Sequence, residues 1–147
     1  MRKINYLVVH CTAGNPKETI PQLINGFKAR GWKNNGYHIV VDGAGQRHDI
    51  TPLENIANGV AGHNANSIHV SYMGGIDKLG KPMDTRTEAQ KRQLLLILKE
   101  LKAKFPLANI LGHRDLSPDT NHNGKVDSFE WVKVCPCFEA IKEYSSL

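Results

Sequence analysis

Apolar and polar positions along the chain fall into blocks whose period changes. Ile4 to Val9 is an apolar run of strand length, broken by Gly14-Asn15-Pro16, and reads as a buried strand. Ile20, Leu23, Ile24 and Phe27 recur at helical spacing, predicting an amphipathic helix over Thr19 to Arg30 that stops at Gly31. Tyr37 to Asp42 and Gln46 to Ile50 read as strands around a Gly43-Ala44-Gly45 turn, and Ser67 to Met73 as a third strand ending at Gly74-Gly75. Thr87-Glu88-Ala89-Gln90 has capping-box form and opens the longest helix, running to Lys104 with Leu94, Leu95, Leu98 and Leu101 inside. Pro106 closes it. Ala108 to Gly112 is a last short strand, and a polar loop from Asp115 to Asp127 leads to a helical segment near Phe138 to Tyr144. Strands alternating with helices, some strands placed as hairpin partners, predict an α/β fold with a mixed central sheet flanked by helices.

A length of 147 residues suits a single domain, 1–147, whose core needs no disulfide staples. No apolar stretch is long enough to cross a bilayer; the run Leu94 to Leu98 is far too short. Met1-Arg2-Lys3 followed by apolar residues imitates the start of a signal peptide, but the run meets His10 and no cleavage site follows. The expectation is therefore a chain without a signal peptide, cytoplasmic until released and probing no membrane interior. The net charge of +5 favours a polyanionic partner: nucleic acid, a membrane surface or the bacterial wall. The basic residues carry no nucleic-acid motif and little aromatic interleaving, which argues against nucleic acid. Three cysteines, Cys11, Cys135 and Cys137, cannot all pair within one chain, and the last two are too close for an ordinary bridge. Reduced thiols are expected, at least one of them a candidate metal ligand.

Candidate chemistry centres on His10, at the end of the first strand, His113, at the end of the last, and Cys135 in Lys133-Val134-Cys135-Pro136. Imidazole nitrogen and thiolate sulfur are zinc donors, and three protein ligands leave a fourth position open. Taken singly, each residue reads first as a hydrogen-bonded histidine or a buried thiol and only second as a ligand, and Cys137 offers the same donor as Cys135.

The local words add to this. Val8-Val9-His10-Cys11-Thr12-Ala13, Gly36-Tyr37-His38-Ile39-Val40-Val41, Asn66-Ser67-Ile68-His69-Val70, Gly112-His113-Arg114-Asp115 and Lys133-Val134-Cys135-Pro136 occur in this order. The set resembles the type 2 N-acetylmuramoyl-L-alanine amidases, the family of phage amidase-lysozymes and animal peptidoglycan recognition proteins. The resemblance implies their fold and a zinc amidase that cuts the bond between the lactyl group and L-alanine in bacterial peptidoglycan; a monomer is expected. It assigns zinc to His10, His113 and Cys135, with Cys135 preferred over Cys137, and catalytic roles to Tyr37 and Lys133. It also makes His63 a candidate substrate contact. His69 stands where the family usually has glycine, reshaping a groove or pointing to solvent. His38, next to Tyr37 on a strand, is expected to pack on the other face, and Cys11 to lie in the core.

One further stretch has metal-loop form. Asp119, Asn121, Asn123, Lys125 (through its carbonyl), Asp127 and Glu130 fall at calcium-ligand positions, with Gly124 at the turn, so a calcium loop is expected between two of the zinc ligands over 119–130. The bland reading is a polar turn. The main alternative for the whole chain is a peptidoglycan-binding module without catalysis.

Overall fold

The computed structural model describes all of residues 1–147. Its elements run β1 (Tyr6–Cys11), α1 (Ile20–Ala29), β2 (Ile39–Val41), β3 (Arg47–Asp49), β4 (Ser67–Tyr72), α2 (Glu88–Lys104), β5 (Asn109–Gly112) and α3 (Ala140–Glu143). The five strands form one mixed sheet in the order β3-β2-β4-β1-β5. β1 pairs in parallel with β4 and β5, β2 in parallel with β4, and only the β2–β3 hairpin is antiparallel. No helix is long and apolar enough to cross a membrane.

The two faces of the sheet differ in chemistry, and the period of two along each strand is the reason. Leu7, Val9 and Cys11 on β1, Ile68, Val70 and Tyr72 on β4, and Ile39 and Val41 on β2 belong to the main core with Leu94, Ile97, Leu98 and Leu101 of α2. The intervening residues turn to the opposite face. They include His10 and His69, both buried, with Val40 packing under Leu23 and Phe27 of α1. One face is an oil layer; the other carries polar side chains that require hydrogen-bond partners.

Both long helices begin where their capping boxes place them. The Thr19 hydroxyl accepts from Gln22 N–H and the Thr87 hydroxyl from Gln90 N–H, with each glutamine side chain accepting in return from the cap residue's N–H. The inward stripe of α2 needs one correction: Ile97 is fully buried, whereas Leu95 is 37% exposed. Leu94, Ile97, Leu98 and Leu101 follow the spacing i, i+3, i+4, i+7, and Leu95 lies about 100° off that stripe. β1 also continues two residues beyond Val9, because Val9 to Cys11 stay in register with β4. His10 is therefore held within a strand.

Candidate metal centre

Each of the three candidate ligands is fixed by a different device. His10 sits opposite Ser71 in the β1–β4 ladder. His113 opens a single 3-10 turn, His113–Leu116, directly after β5; the Asp115 carboxylate accepts from Gly112 N–H at 2.8 Å to cap that turn. Cys135 is on a long return segment that is tied down at several points. Its carbonyl accepts from Arg114 N–H (3.0 Å), and the next carbonyl, of Pro136, accepts from the buried Tyr72 hydroxyl (2.7 Å). Arg114 places its guanidinium over the Trp131 ring, 3.9 Å from the centroid, and Val132 N–H donates to Ser117 Oγ (3.0 Å). Gly112 lacks a Cβ where one would stand 2.6 Å from Pro136 Cδ, so that segment seats directly against β5.

The result is a convergent donor set. One ligand atom from each of His10, His113 and Cys135 lies within 4.8 Å of the others, the only such cluster of His, Cys, Asp or Glu side chains in the structure. Cys135 Sγ is 3.8 Å from His10 Nδ1, near the spacing of about 3.5 Å between two vertices of a tetrahedron with zinc-like N and S bond lengths. Cys11 N–H donates to Cys135 Sγ at 3.2 Å, which helps to fix the position of the sulfur. Burial holds the His10 imidazole well below the usual histidine range, and lowers His113 to about 4, with the Lys133 charge acting in the same direction on both. Neutral imidazoles are the ligand form. The three side chains could thus hold a metal ion, and two nitrogens with a sulfur suit zinc.

Cys137 is not part of the cluster. Its Sγ lies 4.0 Å from Cys11 Sγ and 3.5 Å from the Gly75 carbonyl. Cys11 itself is buried in the main core, as expected.

Tyr37 stands beside His10, ring centroids 5.1 Å apart, and its hydroxyl donates to the Cys11 carbonyl at 3.2 Å. Burial pushes the phenol up from its ordinary range, so it is a proton donor and not a phenolate. Tyr37, Lys133, His10, His113 and Cys135 all line one pocket of about 290 Å³. It shares Arg30, Trp32, Asn58, Gly59, His113 and Lys133 with a larger cavity of about 850 Å³, which His63 also lines. His63 is half-buried and meets Tyr6 edge-on. His38 does not turn away from Tyr37 as expected: it is buried on the same face, stacked on His69 with its Nε2 2.8 Å from the Asn55 carbonyl, because Tyr37 precedes β2 (Ile39–Val41) and the strand alternation does not reach it.

His69 departs from both expectations for it. It neither points to solvent nor lines the groove; it is fully buried behind His10, its Nδ1 2.9 Å from His10 Nε2. A large titratable side chain between Ser67 and Ser71 on the polar side of β4 was the one available signal of such a partner.

The loop over 119–130 folds on itself. Asp119, Asn121 and Asn123 side-chain oxygens accept from main-chain N–H groups of Asn123, Gly124 and Lys125. The buried Glu130 accepts from Asp127, Thr120 and Asn121 N–H and from the Thr120 hydroxyl. The carboxylates of Asp119, Asp127 and Glu130 form no convergent cluster of the kind seen at His10, His113 and Cys135, so the geometry adds no support to the calcium expectation. Asp119 and Glu130 instead accept from the loop's own main-chain N–H groups, and Asp127 Oδ2 accepts from the Asn123 side-chain amide at 2.7 Å.

The sequence profile of N-acetylmuramoyl-L-alanine amidases matches residues 1–128, a span that ends before Lys133 and Cys135. An uncharacterized protein of Haemophilus influenzae is 50% identical over 80 residues, covering 54% of this chain and 69% of that protein. The endolysin of Klebsiella phage KP32 is 27% identical over 140 residues, covering 94% of this chain and 83% of its own. Among solved structures, the N-acetylmuramoyl-L-alanine amidase endolysin LysCS of Clostridium intestinale shares the fold, with a TM-score of 0.76 at 20% identity over 99% of this chain and 83% of that one.

Proposed function

This chain belongs to the N-acetylmuramoyl-L-alanine amidase family, and from that premise we propose that it is a zinc-dependent hydrolase of the amide joining the lactyl group to L-alanine in peptidoglycan. The observation that carries the reading is the convergence of His10, His113 and Cys135 within 4.8 Å beside an open groove. Zinc, when bound by these three residues, supplies Lewis-acid polarisation and an acidified water near neutral pH.

The chain's own groups account for the remaining needs. The Tyr37 hydroxyl and the Lys133 ammonium line the same pocket as the ligands. Both are donors suited to an oxygen that gains negative charge as the amide carbonyl is attacked. Lys133 is exposed, so it can also deliver a proton to the departing amine and exchange it with water. His63 lines the wider cavity and is proposed to contact the stem peptide or glycan. The +5 charge of the chain suits an anionic wall polymer.

The test is mass analysis of purified muropeptides after incubation with the zinc-loaded protein. Free stem peptide bearing an L-alanine N-terminus, together with intact lactyl-bearing glycan, is the expected product pair. Binding of muropeptide without any cleavage would establish the non-catalytic alternative, and cleavage elsewhere in the stem would overturn the bond assignment.

A further inference from the structure

The polar face of the sheet contains a relay that the reading above leaves unused. His69 places Nδ1 2.9 Å from His10 Nε2 and Nε2 2.9 Å from Asn64 Oδ1. The identity of that Asn64 atom is fixed independently, because Val60 N–H points at it from 2.8 Å and a main-chain N–H requires an acceptor. An oxygen that only accepts requires the proton of His69 to be on Nε2. A neutral buried His69 then presents a lone pair at Nδ1, which requires the proton of His10 to be on Nε2. His10 Nδ1 is left as a lone pair, and this is the atom that faces Cys135 Sγ.

We propose that His69 is a positioning residue for the metal centre: with Asn64 it locks His10 in the tautomer and ring orientation that offer Nδ1 to zinc. Metal-ligating histidines commonly donate their second N–H to an acceptor that fixes the ring; here the acceptor is a second imidazole. The surroundings are shaped to hold it. A Cβ on Gly59 would stand 2.3 Å from His69 Nδ1, so the ring occupies space that any larger residue at 59 would take. From the other side, His38 stacks on His69 with centroids 5.8 Å apart and planes 12° from parallel, and His38 Nδ1 accepts from His69 N–H at 3.0 Å. The inference rests on the zinc reading of the site.

Two measurements test it. Long-range proton–nitrogen correlation spectra of zinc-loaded wild-type protein, labelled on histidine, are expected to show protons on Nε2 of both His10 and His69. A proton on His69 Nδ1 overturns the relay. Zinc affinity by chelator competition then compares His69→Leu, which removes the acceptor at similar volume, with His69→Asn, whose oxygen can stand where Nδ1 stood. Leucine is expected to weaken zinc binding by about 10- to 100-fold, with asparagine recovering most of the loss. The visible spectrum of the cobalt(II) form should change in the leucine variant and return in the asparagine one. Wild-type zinc affinity and an unchanged cobalt spectrum in His69→Leu, or equal weakening in both variants, overturn the positioning role while leaving the zinc reading intact. A wild-type protein that binds no zinc sinks that earlier reading instead, and this one with it.

Discussion

The Tyr37 hydroxyl donates to the main-chain carbonyl of Cys11 at 3.2 Å, one residue beyond the candidate metal ligand His10. A phenol on the loop entering β2 is thereby pinned to the strand that carries a candidate ligand. The group that would stabilise negative charge and the group that would hold zinc keep a fixed relation through one hydrogen bond and two adjacent residues. That bond uses the phenol's single proton, so stabilising an oxyanion requires the O–H to turn from the Cys11 carbonyl to the substrate oxygen while the ring stays beside His10.

Tyr37→Phe is therefore expected to keep zinc and lose turnover by roughly a hundredfold or more, at a stability cost of about 1 kcal/mol for the missing hydrogen bond. Lys133→Ala should behave alike in rate but leave the melting temperature nearly unchanged, because the side chain is exposed. Muropeptide turnover and bound zinc, measured on the same samples, separate chemistry from metal loss. Near-normal rates in both variants with zinc intact would remove them from the mechanism.

The ligand assignment makes a sharper contrast between neighbours. His10→Ala, His113→Ala and Cys135→Ala should each lose zinc and activity, while Cys137→Ser should keep both, since its sulfur faces Cys11 and Gly75 and not the cluster. Metal content by elemental analysis after gel filtration decides it. Retention of zinc by Cys135→Ser with loss in Cys137→Ser would reverse the assignment.

Much of the fold was legible because it depends on local rules. The capping box at Thr87 located the start of α2, the helical spacing of Ile20, Leu23, Ile24 and Phe27 located α1, and the apolar runs located the strands. The cluster of His10, His113 and Cys135 was legible only through the wording of the motifs around it, since parallel pairing of β5 with β1 is what joins residues so distant along the chain. The inward place of Ile97 was present in the spacing of Leu94, Ile97, Leu98 and Leu101 and was misassigned to Leu95 because apolar residues run unbroken from Leu94 to Leu98. The partnership of His69 with His10 depends on the β1–β4 register and is encoded in no window of neighbouring residues. The loop over 119–130 shows the converse: a pattern that matches a metal loop position by position is also a good inventory of acceptors for capping turns.

Glu130 gives that loop a measurable signature. Hydrogen bonds from its own loop, that of Asp127 N–H first, hold its carboxyl below the usual carboxylate range. A depressed carboxylate contributes stability that is present above its unfolded pKa and is lost as pH falls through the folded value. Glu130→Gln should lower the melting temperature at neutral pH and flatten the acid side of the stability profile. Thermal melts of zinc-loaded protein with and without millimolar calcium, with magnesium as control, test the other use of the same oxygens. A calcium-specific rise that Glu130→Gln abolishes would restore the metal reading of the loop.

Arg86 carries the last prediction, which concerns how the C-terminal segment is held. Its guanidinium is 2% exposed, pairs with Asp84 at 2.9 Å and Glu143 at 2.6 Å, and lies over the Phe138 ring, 3.3 Å from the centroid. It thus links the segment before α2 to α3, whose Ala140 and the following Tyr144 belong to the main core. The buried cation is what makes the pairing matter: without Glu143 it would keep one carboxylate and lose a bidentate partner. Both carboxylates reach water, with side chains 29% and 40% exposed, so the cost is discounted from the full value for a buried pair. Glu143→Gln is expected to destabilise by about 1–2 kcal/mol at neutral pH. Hydrogen bonding to Arg86 lowers Glu143, and the same contact overcomes the burial of Asp84 to lower it too. The sign follows as for Glu130: stability is complete above the unfolded carboxylate range and declines as pH drops through the depressed folded values. Denaturant unfolding at several pH values should therefore show the wild-type advantage over Glu143→Gln shrinking as the solution is acidified. An advantage that stayed constant into strong acid would mean that the pair acts by shape alone.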